Sequence, residues 1–152
     1  IADLSIYGIG VANNGGGTDG VEYVFPAEPA SAGDNIIVAR SAAAIEAYFG
    51  AACFAAVSAT YVDDGSTNPT SSNPAISQNG DDAIELFMYD GADWTAFELF
   101  GELDVDGSGQ SWEYLDSWAY KADGAWTYGG VNCTDGSTTT ADSTCVYPVC
   151  GQ

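Results

Sequence analysis

The hairpin that decides the fold reads Asp82-Ala-Ile-Glu-Leu-Phe-Met-Tyr-Asp-Gly-Ala-Asp-Trp94, and its second strand continues to residue 103. Residues 82–89 form a short apolar run with the character of a strand. An Asp-Gly pair between two such runs is a strong hairpin signal. The segment therefore predicts two antiparallel strands joined by a tight turn.

On either side of this hairpin, the chain offers further short strands and one helix. Ser41 can cap a helix over residues 41–49 that Gly50 ends. Residues 51–62 fit either a strand or buried coil, and residues 63–79 have loop composition. We expect a strand or turn at residues 3–10, strands at 21–25, 35–39 and 110–121 (the last with a bend), and a turn at Asp123-Gly124. Many short strands with one short helix predict an all-β fold, an antiparallel β-sandwich.

The composition excludes several classes of function. The chain has 152 residues, which fit one domain, and it carries 22 acidic residues, two basic ones (Arg40 and Lys121) and no histidine, for a net charge of −20. Two basic residues cannot form the patch that nucleic acids and anionic membranes require. Without histidine no Ser-His-Asp or Cys-His arrangement exists, and we expect no enzyme. No apolar stretch is long enough to insert into a membrane, and the density of carboxylates predicts a salty or calcium-containing milieu.

Four cysteines indicate an extracellular protein. Cys53, Cys133, Cys145 and Cys150 include no Cys-x-x-Cys pair, so disulfides are favoured over a zinc site. Three pairings are open. Asn132-Cys-Thr is an N-glycosylation acceptor that agrees with secretion. The chain begins at Ile1, which indicates a processed product or a piece of something longer.

One loop has the spacing of a calcium site. It reads Glu102-Leu-Asp-Val-Asp-Gly-Ser-Gly-Gln-Ser-Trp-Glu113. Oxygen ligands at positions 1, 3 and 5, glycine at 6 and a carboxylate at 12 suit a hard cation, and Mg²⁺ fits less well because it demands stricter geometry. The predicted Ca²⁺ ligands are Glu102, Asp104, Asp106, the Ser108 carbonyl and Glu113. The alternative is an ordinary solvated turn between two strands.

The aromatic residues admit two interpretations. Trp and Tyr alternate along residues 112–120, and such side chains can stack on sugars. On strands they more often fill a core or cover its face. The second interpretation is favoured.

Several ordered motifs resemble the secreted microbial and algal-type branch of the lamin-tail-domain family. They are Asp3-Leu-Ser-Ile-Tyr-Gly-Ile-Gly, Ala12-Asn-Asn-Gly-Gly-Gly-Thr-Asp-Gly, Val21-Glu-Tyr-Val-Phe-Pro, Asp82-Ala-Ile-Glu-Leu-Phe, Phe100-Gly-Glu-Leu-Asp-Val-Asp-Gly and Trp112-Glu-Tyr-Leu-Asp-Ser-Trp-Ala-Tyr. The resemblance covers most of residues 1–121. It implies an immunoglobulin-like β-sandwich and a non-catalytic module, often attached to secreted or surface proteins that include nucleases and phosphatases. In lamins the related domain belongs to a filament-forming protein.

The chain departs from the family pattern at both ends. The family usually has a strand of the type Ala-(Ile/Val)-Glu-Leu-Tyr just before the point where this chain begins. A Cys- and Thr-rich tail is added after the core pattern. We therefore expect a lamin-tail-like sandwich over residues 1–128 and a disulfide-stapled tail over residues 129–152 packed on the same domain.

The expected function follows from the family strand that this chain lacks. A sandwich short of one strand exposes an apolar groove and unpaired backbone groups, which a strand from another chain can complete. We expect self-association into an extracellular filament or surface array. The open structural alternatives are a start that only marks trimming, and a tail segment, residues 144–152, that fills the gap. The alternative function is a Ca²⁺-dependent adhesion or carbohydrate-binding module attached to a larger secreted hydrolase.

Overall fold

The computed structural model describes residues 1–66 and 74–147. Its eight strands are β1 (Tyr7–Ala12), β2 (Tyr23–Val24), β3 (Ile36–Ala39), β4 (Ala59–Val62), β5 (Ala83–Tyr89), β6 (Trp94–Phe100), β7 (Ala119–Ala122) and β8 (Ala125–Tyr128). Its α-helices are α1 (Ala42–Phe49) and α2 (Ala51–Phe54), and 3-10 turns occupy Leu4–Ile6 and Asn13–Gly15. The fold is mostly β, as predicted.

The main sheet is antiparallel and has the strand order β2-β1-β5-β6. The predicted hairpin is confirmed as β5 and β6, although β6 ends at Phe100 rather than at residue 103. The Asp90 carboxylate closes the turn by accepting bonds from the backbone N–H groups of Ala92 (2.8 Å) and Asp93 (2.9 Å). These bonds also lower the pKa of Asp90, with the Asp93 bond contributing most.

A parallel pair, β3 and β4, departs from the predicted all-antiparallel arrangement. Parallel neighbours need a crossover, and here α1 and α2 supply it. Ser41 caps α1 by accepting a bond from the Ala44 N–H at 3.2 Å, and Gly50 ends the helix at φ 83°, both as predicted. The expectation of a single helix is wrong, because Ala51–Phe54 forms a second short helix directly after Gly50.

The aromatic segment at residues 110–118 is not a strand, which corrects the prediction. It runs through turns, with the Glu113 N–H donating to the Gln110 carbonyl at 3.2 Å and Asp116 at φ 42°. A left-handed residue interrupts an extended strand, so regular pairing starts only at Ala119. The short hairpin β7–β8 follows.

Two buried clusters pack against the main sheet. One contains Val11, Tyr23 and Ala75, packed against Val38 and Tyr61. The other contains Ala12, Ala83, Phe100 and Trp112. Since Val11 and Ala12 are neighbours on β1, their side chains point to opposite faces. This arrangement agrees with a β-sandwich at the level of its layers.

Gly10 allows a close backbone crossing on β1. A Cβ there would lie 2.0 Å from the Gly20 carbonyl oxygen. The segment that crosses leads into β2, and the Glu22 carboxylate accepts the Val11 N–H at 2.9 Å. A side chain at position 10 would push this segment away, so glycine is required for packing rather than for φ.

The tail packs on the body of the fold. The Thr140 N–H donates to the Tyr48 carbonyl at 3.0 Å, and the Asn132 N–H donates to the Leu115 carbonyl at 2.8 Å. A disulfide joins Cys133 to Cys145. Cys53 is also disulfide-bonded, while Cys150 lies outside the described residues.

Candidate interaction surface

An open apolar groove of about 570 Å³ lies between the main sheet and β3. Its lining residues are all aliphatic or aromatic: Ile1, Leu4, Tyr7, Ile9, Phe25, Ile36, Val38, Ile76, Leu86 and Phe97. Among the described residues, no charged side chain lines the groove. These residues come from several strands and from the N-terminal segment. Because their side chains are apolar, the groove is a surface that water solvates poorly.

Strand register brings the sheet side of the groove together. Tyr7 and Ile9 alternate on one face of β1, and Ile9 is the register partner of Leu86 on β5. Phe97 joins them through a β-bulge in β6. Leu86 pairs with Glu98 and Phe87 pairs with Ala96, so Phe97 is the extra residue, and its ring lies 6.0 Å from that of Tyr7 in an edge-to-face arrangement.

The β6 edge, defined as Trp94–Phe100, borders this groove. Within the described residues, β6 has a neighbour in the main sheet on one side only. Its apolar side chains Phe97 and Leu99 are 53% and 41% exposed, and Met88 on the adjacent strand is 40% exposed. Such an edge presents unpaired backbone N–H and C=O groups next to apolar side chains, which is the geometry that accepts another strand.

The charge on the β6 edge is balanced locally. Glu98 is the one charged residue of β6, and its carboxylate forms an ion pair with the Lys121 ammonium. The same ammonium stands 5.5 Å from the centre of the Trp126 ring. Trp126 packs edge-to-face on Phe100 at 4.8 Å, so the hairpin β7–β8 holds the cation against the end of β6.

The tyrosines behind the groove have raised pKa values. Burial, followed by the nearby Asp63 carboxylate, raises the pKa of Tyr23 to about 12. Burial and the hydrogen bond from the Tyr61 hydroxyl to Glu28 (2.9 Å) raise the pKa of Tyr61. Both hydroxyls keep their protons at neutral pH.

Two of the predicted calcium ligands, Asp106 and Glu113, accept hydrogen bonds from backbone N–H groups of their own loop. The Asp106 carboxylate accepts the Ser108 N–H at 2.9 Å, which lowers the Asp106 pKa, and the Glu113 carboxylate accepts the Gly109 N–H at 2.8 Å. The Ser108 hydroxyl donates to Asp81, outside the predicted ligand set.

Asp104 lies beside Gly17, and the Glu102 carbonyl accepts the Val105 N–H at 3.2 Å. Among residues 1–66 and 74–147, no group of three or more histidine, cysteine or carboxylate side chains is placed to hold a metal ion. Each of the two backbone bonds uses only one oxygen of its carboxylate, Oδ1 of Asp106 and Oε2 of Glu113. The calcium site stays a prediction.

An aromatic cleft of about 420 Å³ separates α1 from the tail. Tyr48, Phe49, Trp118 and Tyr147 line it together with hydroxyl-bearing residues. The Tyr48 hydroxyl hydrogen-bonds the hydroxyls of Ser137 (2.8 Å) and Tyr147 (2.7 Å). By contrast, Trp112 is buried and packs on Phe100, which agrees with the interpretation of the aromatics as core.

Asn132, the predicted glycosylation site, is exposed in a left-handed conformation at φ 64° next to Cys133. Its side chain is accessible for modification, and glycosylation stays a prediction. No helix in the part of the chain that the structure describes has the length and apolar character to cross a membrane.

Sequence reasoning expected a groove but did not identify its residues. Phe97 lies at a bulge, which no pattern of alternation reveals, and Ile36 and Val38 reach the groove through the parallel β3–β4 pair. The alternation of Tyr7 and Ile9 was the available signal. Comparison of this chain with models of known protein families, with curated proteins and with solved structures finds no match.

Proposed function

We propose that this chain is a non-catalytic structural module that self-associates by strand pairing, as a subunit of an extracellular filament or surface array. The observation that carries the proposal is the exposed β6 edge with the apolar groove beside it. Backbone pairing at the edge supplies directional bonds, and burial of Phe97 and its neighbours supplies the hydrophobic contribution. The disulfide between Cys133 and Cys145 supports an oxidising compartment.

The proposal includes an immunoglobulin-like sandwich of the lamin-tail type. Its support is the sequence motifs together with the antiparallel main sheet and the two buried clusters packed against it. In this picture the acidic surface keeps the subunits hydrated, and screening by salt brings them together. Carboxylates repel one another over roughly 10 Å at 0.1 M salt and over about 3 Å at 1 M.

Sedimentation velocity over a range of protein and salt concentrations tests the proposal, with negative-stain images of the associated fraction. We expect association that increases with salt. Phe97→Ser should weaken it, because the substitution removes an exposed aromatic ring at the edge. Val131→Ser is the matched control, since Val131 is 45% exposed but lies outside the groove. A monomer under all conditions, or equal effects of the two variants, contradicts the proposal.

A second candidate function is carbohydrate binding as the accessory module of a larger secreted hydrolase. The aromatic cleft favours it, because flat rings beside hydroxyl groups suit sugar rings. Titration with soluble oligosaccharides, followed by tryptophan fluorescence, tests this candidate. Saturable quenching that Trp118→Ala removes and Trp94→Ala retains would support it, and an unchanged spectrum would reject it.

A further inference from the structure

One of the two basic side chains of this chain lies at the β6 edge. Only Arg40 and Lys121 are basic, against 22 acidic residues. Lys121 pairs with Glu98, the one charged residue of the β6 edge. In a molecule of charge −20, the longest exposed strand edge is thus free of net charge.

The other edge of the main sheet cannot serve as the partner of β6. β2 is only two residues long, and Tyr23 within it is 3% exposed. A head-to-tail contact between β6 of one copy and β2 of the next would therefore find almost no strand to pair with. The remaining self-complementary partner within the main sheet is β6 of a second copy.

From these observations we infer that the β6 edge pairs antiparallel with the β6 edge of a second copy, and that the Lys121–Glu98 ion pair permits this contact. The inference rests on the proposed function and names its first step, a two-fold dimer with a continuous eight-stranded sheet. Such a contact uses the same surface on both subunits and closes on itself. Larger arrays are then built from dimers.

The role of the ion pair is to remove a like-charge conflict. In a two-fold contact, Glu98 of each copy lies on the shared edge, and carboxylates opposed across paired strands destabilise the pairing. Lys121 neutralises Glu98 before the copies meet. A cation–π contact with the Trp126 ring holds the Lys121 ammonium at the edge, so the side chain does not extend into solvent.

An opposite role for Lys121 is also physically sensible. Charged side chains, lysine above all, and β-bulges are devices that keep exposed strand edges from pairing. β6 has a bulge at Phe97 and a lysine beside it. If Lys121 guards the edge, its removal strengthens association. If Lys121 neutralises the edge, its removal weakens association.

Two substitutions that change the net charge equally separate these roles. Lys121→Ala and Arg40→Ala each remove one positive charge, but only the first leaves Glu98 unpaired. We expect Lys121→Ala to raise the dimer dissociation constant about three- to tenfold in 0.05 M salt, and Arg40→Ala to change it by less than about twofold. The difference should shrink in 1 M salt, where charges are screened within about 3 Å.

A double variant distinguishes charge from a structural role of the lysine. Glu98→Gln with Lys121→Gln removes both charges and keeps the edge neutral, so it should restore the wild-type dissociation constant. Sedimentation velocity measures the constants, and circular dichroism confirms that each variant is folded. Hydrogen exchange should show new protection at residues 94–100 in the dimer.

The outcomes separate this inference from the proposed function. If the wild-type chain does not associate, the proposed function fails. If it associates but Lys121→Ala and Arg40→Ala behave alike, or the protection appears elsewhere, pairing through a neutralised β6 edge is wrong while self-association stands. Stronger association of Lys121→Ala overturns the inference in favour of a guarding lysine.

Discussion

The β2 edge of the main sheet is two residues long and buried at Tyr23, whereas the β6 edge runs for seven residues and leaves Phe97 more than half exposed. Pro26 follows β2 closely and prevents its continuation as a paired strand. The segment before β2 crosses over Gly10 and fixes β2 against β1. One edge is closed by packing, and the other is left open beside an apolar groove.

The two edges differ in how much apolar surface they bury within the monomer. Aromatic side chains at the closed edge contribute to the stability of the monomer. Aromatic side chains at the open edge contribute little to the monomer and are available to a partner. The two edges should therefore respond differently to the same kind of substitution.

The largest expected difference is between Tyr23→Ala and Phe97→Ala. Tyr23 is 3% exposed and packs with Phe25 at 5.3 Å between ring centres, so its truncation should lower the free energy of unfolding by about 3–5 kcal/mol. Phe97→Ala should cost less than about 1 kcal/mol in the monomer. Urea unfolding at low protein concentration measures both. Similar losses would mean that β6 is not an open edge.

Removal of the tail disulfide should affect a region remote from both edges. Replacing Cys133 and Cys145 by alanine should lower stability by about 2–4 kcal/mol, because a link across 12 residues no longer restricts the unfolded chain. Hydrogen exchange should show the greatest loss of protection at the N–H groups of Asn132, Thr140 and Thr144. Equal loss across β1 and β5 would show that the tail supports the whole fold.

Gly10→Ala should open the closed edge. The new Cβ would meet the Gly20 carbonyl, and displacing that segment should cost about 1–3 kcal/mol. Gly91→Ala is not a suitable control because Gly91 has φ 103°. Gly16→Ala gives a milder comparison, since Gly16 has φ −77° and its Cβ would lie 3.1 Å from the Asn13 carbonyl oxygen, against 2.0 Å at Gly10. Chemical shifts of β2 should move in Gly10→Ala alone. Unchanged β2 signals would contradict the close crossing.

Acid should loosen the turn that Asp142 holds in the tail. Backbone bonds from Thr139 and Thr138 lower the pKa of Asp142 from 3.8 to about 2. Because the pKa is depressed in the folded state, the stabilisation is present above the unfolded value and is lost as the pH falls from about 4 through 2. Exchange of the Thr138 and Thr139 N–H groups should accelerate in that window. In Asp142→Asn the acceleration should be absent, and its persistence would assign it to another group.

The smallest expected effect concerns the loop that follows β6. Asp104→Ala with Asp106→Ala should lower the melting temperature only when Ca²⁺ is present. Asp123→Ala, in the β7–β8 turn, is the control. An equal loss in calcium and in chelator would reject metal binding in this loop.

The elements that sequence reasoning predicted well are those specified by neighbouring residues. Asp90-Gly91 fixes the turn between β5 and β6, and Ser41 and Gly50 fix the ends of α1, because each acts on backbone groups a few residues away. Residues 110–118 were predicted as a strand because their aromatics alternate. Their burial comes instead from turns that fold Trp112 onto Phe100, a distant partner.

The features that sequence reasoning missed depend on distant partners. Nothing local shows that β3 and β4 pair in parallel or that Cys133 pairs with Cys145. The ion pair of Glu98 with Lys121 joins residues 23 positions apart. It matters because Glu98 lies on the exposed β6 edge, which the sequence does not reveal. In the predicted calcium loop, the pattern of carboxylates gives no sign that Asp106 and Glu113 also accept backbone N–H bonds within the loop.

The bulge at Phe97 limits the kinds of assembly that the β6 edge can form. It divides β6 into two runs of three residues, Trp94 to Ala96 and Glu98 to Phe100, with a break in the backbone ladder between them. Amyloid growth requires a flat strand whose every N–H and C=O is copied by the next chain, layer after layer. An interrupted strand can be matched by one partner of complementary shape, yet it is a poor template for indefinite stacking. The irregularity therefore disfavours amyloid growth from this edge even when the protein is concentrated.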